Sequence, residues 1–296
     1  MRVLLINACH YRRGGSETVY FNTAQLLKEH RHTVSFFSAK DLRNEVSEFN
    51  NYFISNVNMR ELPLLKKIQR SPSYLYNYPA RKSLEQLVLD FKPDIAHVHN
   101  FYGVLSVSIL KTLRKHKIPI VQTVHDYRSL CPVNTLLDRN NNICEQCKDK
   151  HFFHCLQKKC SEGKVTQSLI VMLEAYFWKY FINPIDLIDH FIFVSQFSKN
   201  KHLEFNGCYE NKYSQIYNFA NYKEINSAIK GDYFLFFGRL SIEKGIKTML
   251  SVFSKNRDFK LIIAGTGPLK DIVEEVSRER DNINMWDLGQ GKNLNS

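Results

Sequence analysis

Two cations follow a short apolar run in the segment 233–245, which reads YFLFFGRLSIEKG. The run Phe234–Phe237 is bulky and lacks helical periodicity, which predicts a buried strand. Gly238 ends the run, Arg239 and Lys244 lie on the turn, and helical spacing follows. The free N–H groups and dipole of a helix N-terminus attract anions, so this turn is suited to a pyrophosphate. The alternative is an ordinary βα turn whose basic residues are simply solvated.

A second set of polar residues follows two further apolar runs. His99 comes directly after residues 95–98, and His125 with Asp126 comes directly after residues 118–124. In open α/β sheets, ligands bind at the carboxyl ends of the strands, so these side chains are candidates for a site. A histidine whose hydrogen bonds are satisfied inside the core is the commoner situation.

Two glycines separate the first predicted strand from the first predicted helix. Gly14 and Gly15 lie after the strand at residues 3–6, and Glu17 lies in the first turn of a helix predicted over residues 16–30. Glycine lets a backbone approach a ligand closely. The order of strand, Gly-Gly turn, helix and strand predicts a Rossmann-like opening, although the full dinucleotide-binding spacing is absent.

Five of the seven cysteines lie between residues 131 and 160, in the pattern C-x12-C-x2-C-x7-C-x4-C. Two thiolates separated by two residues commonly share one tetrahedral metal ion, and a second pair completes four ligands. A zinc ion would also order a segment that has few large apolar residues. The predicted ligands are Cys144, Cys147, Cys155 and Cys160, with Cys131 as a spare thiol; a loop of free thiols is the alternative.

Composition limits the class of protein. With 296 residues, 44% hydrophobic and 24% charged, the chain predicts two globular domains. No apolar run is long enough to span a bilayer, and the first strand ends too early for a signal peptide, which predicts a cytoplasmic protein. The net charge of +12 favours anionic partners: nucleotides, nucleic acid or an anionic membrane surface.

One segment of the sequence is a candidate for contact with an anionic membrane surface. Residues 59–82 mix basic and aromatic side chains, a composition that suits either contact with anionic lipid or a solvated helical face. Pro63, Pro72 and Pro79 argue against one long amphipathic helix there. A large apolar helix predicted over residues 165–182 is either packed in the core or lies at a membrane interface, because Glu174 and Lys179 interrupt it.

In combination, these motifs resemble those of family 4 glycosyltransferases. The run from Gly238 to Gly245 is similar to that family's GR-x-x-x-E-KG signature, the residues from Gly14 to Glu17 to its GG-x-E, and His125 with Asp126 to its HD. The resemblance implies that Arg239 and Lys244 bind the donor diphosphate and that His125 lies against the reacting sugar. The resemblance also implies that His125 and Asp126 are the catalytic residues. Other residues implied in the site are Gly15, Gly265 and Gly267 towards the donor and Gly14, Glu17 and His99 towards the acceptor.

The resemblance also implies a fold and a reaction. The fold is α/β with two Rossmann-like, doubly wound domains, the type B glycosyltransferase fold. The first domain would cover residues 1–228, with a Cys-rich insert at 131–163, and the second would cover 229–296. The reaction would move a hexosyl-type sugar, with retention, from a nucleoside diphosphate sugar to a hydroxyl of a sugar or lipid-linked acceptor. No catalytic metal is implied, and the setting would be polysaccharide or glycolipid biosynthesis, on the inner face of the membrane.

The sequence departs from the family in one respect. No two glutamates have the spacing of the family's E-x7-E motif, and residues 229–296 are short for a Rossmann-like domain. We therefore expect an incomplete second domain and weak or absent turnover. Two alternatives follow: a non-catalytic remnant of such an enzyme, or a basic zinc-binding nucleic-acid protein. No recognised nucleic-acid motif accompanies the positive charge, so we expect no nucleic-acid partner.

Overall fold

The computed structural model describes residues 1–56, 63–209, 211–220 and 231–286. The chain divides into two compact units, Met1–Tyr222 and Lys223–Ser296. The predicted linker at residues 221–232 and the predicted boundary at 228 lie largely outside the described residues. The two units are therefore considered in turn.

The first unit is built on parallel strands. In chain order they are β1 (Arg2–Ile6), β2 (Thr33–Phe37), β3 (Ala39–Lys40), β4 (Ile54–Ser55), β5 (Ile95–Val98), β6 (Ile120–Val124), β7 (His190–Phe193) and β8 (Tyr213–Gln215). Six of them form one sheet in the order β2-β1-β5-β6-β7-β8, and β3 pairs with β4. Because every pair in the large sheet is parallel, all its carboxyl ends lie along one edge.

Helices cover both faces of this sheet. They are α1 (Gly15–Glu29), α2 (Leu64–Leu75), α3 (Tyr78–Phe91), α4 (Ser108–Lys115), α5 (Phe153–Gln157), α6 (Val165–Tyr180), α7 (Pro184–Leu187) and α8 (Gln196–Phe205). Successive residues of a strand point to opposite faces. Accordingly, Val3 and Leu5 pack with α1, whereas Leu4 and Ile6 pack with α3 and α4. The doubly wound Rossmann-like prediction is confirmed for this unit.

The three prolines of the basic and aromatic segment, residues 59–82, occupy different positions relative to its helices. Pro63 precedes α2 and Pro79 lies in the first turn of α3, whereas Pro72 lies within α2. Two helices therefore replace one long helix, as expected, but the break falls at residues 76–77 and not at Pro72. Residues 59–62 of this segment lie outside the described part. Among the described residues, no helix has the length and apolar character required to cross a membrane.

The second unit holds a three-stranded parallel sheet in the order β11-β10-β9. Its elements are β9 (Phe234–Phe237), α9 (Ile246–Lys255), β10 (Leu261–Ala264), α10 (Lys270–Glu279) and β11 (Ile283–Trp286). Leu261 and Ile263 pack with Ile246, Leu250 and Val273 from the helices.

The prediction of a strand at β9 is confirmed, but its predicted burial is wrong. Phe234, Leu235 and Phe237 are 55%, 54% and 80% exposed. The reason is position: β9 is the outer strand of this small sheet and pairs only with β10 among the described strands. An apolar run of four residues does not distinguish a central strand from an outer one.

Candidate functional site

Three loops meet at the carboxyl edge of the first unit's sheet, and Asn7 joins two of them. Its side-chain oxygen accepts a hydrogen bond of 3.0 Å from the N–H of Asn100, and its amide donates one of 2.7 Å to the carbonyl of Cys9. Asn7 is fully buried, so these bonds fix the loop after β1 against the loop after β5. The sequence analysis did not identify this residue.

Histidines that follow β5 and β6 meet edge to edge at this edge of the sheet. Nδ1 of His99 lies 2.8 Å from Nε2 of His125, with ring centroids 5.1 Å apart and the planes within 19°, so the two rings are nearly coplanar. The ring of His97 lies 4.5 Å from that of His99, and its Nε2 shares a hydrogen bond of 2.7 Å with Thr123. The ends of β5 and β6 therefore bring three imidazole rings together.

All three rings are neutral at pH 7. Burial lowers the pKa of His125 to about 4, and burial with the neighbouring His125 lowers the pKa of His97 to about 4. Burial, followed by the two neighbouring rings, lowers the pKa of His99 well below its usual value. His125 can therefore donate or accept a hydrogen bond, but it does not supply a positive charge.

The placement of His99 towards the acceptor stays a prediction. Its side chain is fully buried, so it does not itself reach the surface of the site. His125, in contrast, is only partly buried and remains available to a ligand. The sequence places both residues correctly at strand ends, but it does not tell which of them faces outward.

Asp126 is engaged within its own loop. One carboxylate oxygen accepts a hydrogen bond of 3.0 Å from the N–H of Arg128, and the other accepts one of 2.9 Å from the side chain of Asn134. These two hydrogen bonds hold the conformation of the loop that carries His125.

A buried ion pair anchors the same loop to α6. The guanidinium of Arg128 pairs with Glu174 and donates to the carbonyl of Pro132 and, over 3.1 Å, to the hydroxyl of Tyr74. Glu174 also accepts a hydrogen bond of 3.2 Å from the N–H of Gly103. Burial raises the pKa of the Glu174 carboxyl, while Arg128 opposes that shift. The sequence analysis missed this pair, although a lone acid in an apolar helix was the available signal.

The N-terminus of α1 is open. Gly14 precedes the helix, Gly15 begins it, and both are exposed, whereas Glu17 is buried below them. A Cβ added at Gly15 would meet no atom within 4 Å. The structure therefore leaves the N-terminus of α1 accessible, which is compatible with the approach of a ligand to its free N–H groups.

In the second unit, Arg239 and Lys244 lie on the turn between β9 and α9. Both are exposed, and a short 3-10 turn, Ile242–Lys244, leads through Gly245 into α9. Gly245 has a φ of 72°, which favours glycine. Within the described part of the chain, neither cation has an ion pair or a side-chain hydrogen bond. Burial opposes the shift, but hydrogen bonds and then these two cations lower the pKa of the nearby Glu243 carboxyl. Because neither cation is held in a direct ion pair among the described residues, both side chains can reach an anion.

Gly265 and Gly267 have a structural role that the sequence analysis did not foresee. A Cβ at Gly265 would lie 1.9 Å from the carbonyl oxygen of Gly238, and one at Gly267 would lie 2.4 Å from that of Leu240. The N–H of Leu240 donates to the carbonyl of Thr266 over 2.9 Å. The two glycines thus let the loop after β10 pack against the loop that carries Arg239, which positions that cation.

The predicted zinc site is not formed. Within the described residues, no group of three or more His, Cys, Asp or Glu side chains is placed to hold a metal ion, and all seven cysteines are free thiols. Burial, followed by the neighbouring thiols of Cys131, Cys144 and Cys160, raises the pKa of Cys147 to about 12, and a hydrogen bond with Cys160, followed by burial, raises that of Cys155. The arrangement of the described residues does not support the predicted zinc ligands Cys144, Cys147, Cys155 and Cys160.

Other contacts order the insert instead. Phe152 and Cys147 pack with Met172, Ala175 and Tyr176. Ion pairs of 2.6 Å from Lys201 to Glu145 and of 2.8 Å from Lys148 to Glu204 join the insert to α8. A small apolar cluster and surface charges therefore supply the order that the sequence analysis assigned to a metal.

Each unit is built on a parallel sheet with helices, which is the architecture of a two-Rossmann-domain fold. Comparison with known proteins gives the family: the one described as Glycosyltransferase Family 4 matches residues 13–224, and its type B fold is the predicted one. The chain belongs to that family.

Relatives and similar structures extend the comparison. An "Uncharacterized 42.6 kDa protein in cps region" of Klebsiella pneumoniae is 27% identical over 279 residues, which are 90% of this chain and 68% of that protein. The catalytic domain of starch synthase IV from Arabidopsis thaliana, bound to ADP and acarbose, has a TM-score of 0.54 at 12% identity, over 97% of this chain and 74% of that one. An α-glucosyltransferase in complex with UDP and a 13-mer DNA containing a central A:G mismatch has a TM-score of 0.50 at 14% identity, over 97% and 66%. This chain thus spans about two thirds of the length of several proteins that it matches.

Proposed function

We propose that this chain moves a sugar, with retention, from a nucleoside diphosphate sugar to an acceptor hydroxyl in polysaccharide or glycolipid biosynthesis. The observation that carries the proposal is the pair of free cations, Arg239 and Lys244, at the turn into α9. Membership of the family supports the class of reaction. The relative from a cps region supports the polysaccharide setting, and the UDP and ADP bound to the two similar structures support the class of donor.

The cations serve the step in which the sugar leaves the donor. As the bond between the anomeric carbon and the diphosphate oxygen breaks, negative charge grows on the leaving diphosphate. Arg239 and Lys244 stabilise this charge, and the N-terminus of α9 adds its dipole. A fixed cation that matches the transition state better than the ground state accelerates the step.

The first unit supplies the polar contacts to the sugars. His125 is neutral and partly exposed, so it orients the transferred sugar through a hydrogen bond without adding charge. Asp126 holds the loop of His125 in shape. Gly14 and Gly15 leave the N-terminus of α1 open for close approach of polar oxygens.

Arg239→Ala and Lys244→Ala should each weaken the binding of UDP or GDP. Each substitution removes a charge-assisted contact worth about 1.5–3 kcal/mol, and each 1.4 kcal/mol changes affinity about tenfold. We expect Kd to rise about 10- to 100-fold in calorimetric titrations of the full chain.

Lys255→Ala is the matched control, because Lys255 lies in the last turn of α9, away from the turn that carries the two cations. Its affinity for UDP and GDP should equal that of the wild type. Unchanged affinity in both test variants would contradict the assignment of a diphosphate site.

We further propose that the protein works at the cytoplasmic face of a membrane and that α6 contacts the lipid. Four apolar residues of α6, Val165, Leu169, Leu173 and Tyr180, are 39–66% exposed. Their spacing places them within one narrow stripe of the helix. The exposed Lys164 and Lys179 flank the stripe, which matches the charge of anionic lipid headgroups.

Leu173→Asp should weaken binding to vesicles that contain anionic phospholipid. Loss of an inserted leucine and gain of a negative charge remove about 1.5 kcal/mol or more, so we expect at least tenfold weaker binding in a sedimentation assay. Leu26→Asp, on an exposed position of α1, is the control and should bind as the wild type does. Equal binding by Leu173→Asp, or equal binding to neutral vesicles, would refute this proposal.

A further inference from the structure

Among the described residues, the side chain of His99 makes one hydrogen bond, and that bond goes to the residue proposed to touch the sugar. Its Nδ1 lies 2.8 Å from Nε2 of His125. Its Nε2 is buried and has no hydrogen-bond partner among the described residues. The ring of His99 is held by the ring of His97 at 4.5 Å, by the edge of His125 through the hydrogen bond, and by Tyr20, which packs edge-on at 5.3 Å. His99 therefore has little freedom to rotate away from His125.

Between two neutral imidazoles, one facing nitrogen carries the proton and the other accepts it. If His125 donated, His99 would have to carry its own proton on Nε2. That would leave an N–H group buried without a partner, which proteins rarely tolerate. If His99 donates through Nδ1–H, its Nε2 is only an unused acceptor. The second arrangement is the favourable one.

We infer that His99 is a positioning residue that holds His125 in the tautomer with its proton on Nδ1. In that tautomer, Nε2 of His125 accepts from His99 and Nδ1–H is left as a donor. No described residue accepts a hydrogen bond from this Nδ1. On the proposed function, on which this inference rests, His125 is thereby fixed as a donor to an oxygen of the transferred sugar and does not act as a base towards it.

The tautomer is measured directly by long-range ¹⁵N–¹H NMR of the full chain with labelled histidines, with the His125 signals assigned by their loss in His125→Gln. We expect the wild type to carry the proton on Nδ1 of His125. His99→Leu should return His125 to a mixture rich in the Nε2–H form, whereas His99→Asn, whose side-chain amide can donate from a similar position, should restore the Nδ1–H form in part. His202→Leu is the control, because His202 is a buried histidine that bonds to the carbonyl of Ser198 at 2.8 Å and not to His125.

A second measurement follows the release of nucleotide from UDP-glucose and GDP-mannose. We expect kcat of His99→Leu to fall about 10- to 100-fold with KM within about threefold, and His99→Asn to recover part of that loss. A wild-type His125 protonated on Nε2, or an unchanged tautomer in His99→Leu, would overturn the inference. Because NMR needs no turnover, failure of the sugar-transfer assay alone would count against the proposed function and leave the tautomer result to decide the role of His99.

Discussion

Replacing Glu174 with alanine should destabilise the chain by about 3–5 kcal/mol, because the substitution leaves the Arg128 guanidinium buried without its partner. The side chains of Arg128 and Glu174 are 11% and 1% exposed, so water cannot replace the lost carboxylate. The substitution also removes the acceptor for the N–H of Gly103. Urea denaturation of the wild type and the variant measures the loss as a lower midpoint.

Two controls make this prediction specific. Glu204→Ala removes a carboxylate from an exposed ion pair with Lys148 and should have a much smaller effect on the midpoint. A double variant, Arg128→Met with Glu174→Leu, removes both buried charges and should be more stable than Glu174→Ala alone. Equal midpoints for Glu174→Ala and Glu204→Ala would show that the buried pair does not anchor the loop.

Acid should unfold this protein at a pH where most small domains remain folded. Burial lowers the pKa of His10, His97, His125 and His202 to about 4 in the folded chain, against an ordinary value near 6.5. Between these values the unfolded chain binds more protons than the folded chain, so stability falls as the pH falls from about 6.5 to about 4. Each histidine contributes about 3 kcal/mol to this loss once the pH reaches 4.

Urea midpoints measured between pH 7.5 and pH 4.5 check the direction and the size of this dependence. His202→Leu removes one of the titrating groups, so its midpoint should change less steeply with pH than that of the wild type. Stability that stays constant from pH 7 to pH 5 would contradict the prediction and would imply that the histidines become protonated in the folded state.

Local patterns predicted the elements that carry the site, whereas tertiary contacts decided how the residues are used. His125 could be located because a polar residue after an apolar run marks the end of a strand. The burial of His99 depends on its contacts with helix α1 and with the rings of His97 and His125. The spacing of residues along the chain does not predict these contacts. The pairing of Arg128 with Glu174 joins residues that are 46 positions apart, so only the fold brings them together.

The cysteines show the limit of spacing alone. Their spacing is typical of a metal site, but the positions of the thiols depend on how α5 and α6 pack, and the described residues hold no group of three or more side chains placed to bind a metal ion. Similarly, the run at β9 predicted a strand correctly, but its exposure follows from its place in the sheet. The local sequence pattern predicts whether a segment is a helix or a strand, whereas the neighbouring elements determine how far that segment is buried.

In the second unit, the loop after β9 and the loop after β10 pack closely against each other, which restricts the substitutions and insertions that either loop can tolerate. A Cβ at Gly265 would lie 1.9 Å from the carbonyl oxygen of Gly238, and the N–H of Leu240 donates to the carbonyl of Thr266. Substitutions at the exposed tips of the two loops should therefore be tolerated better than a substitution of Gly265 or an insertion beside it, because either of those would disturb the close packing of the loops.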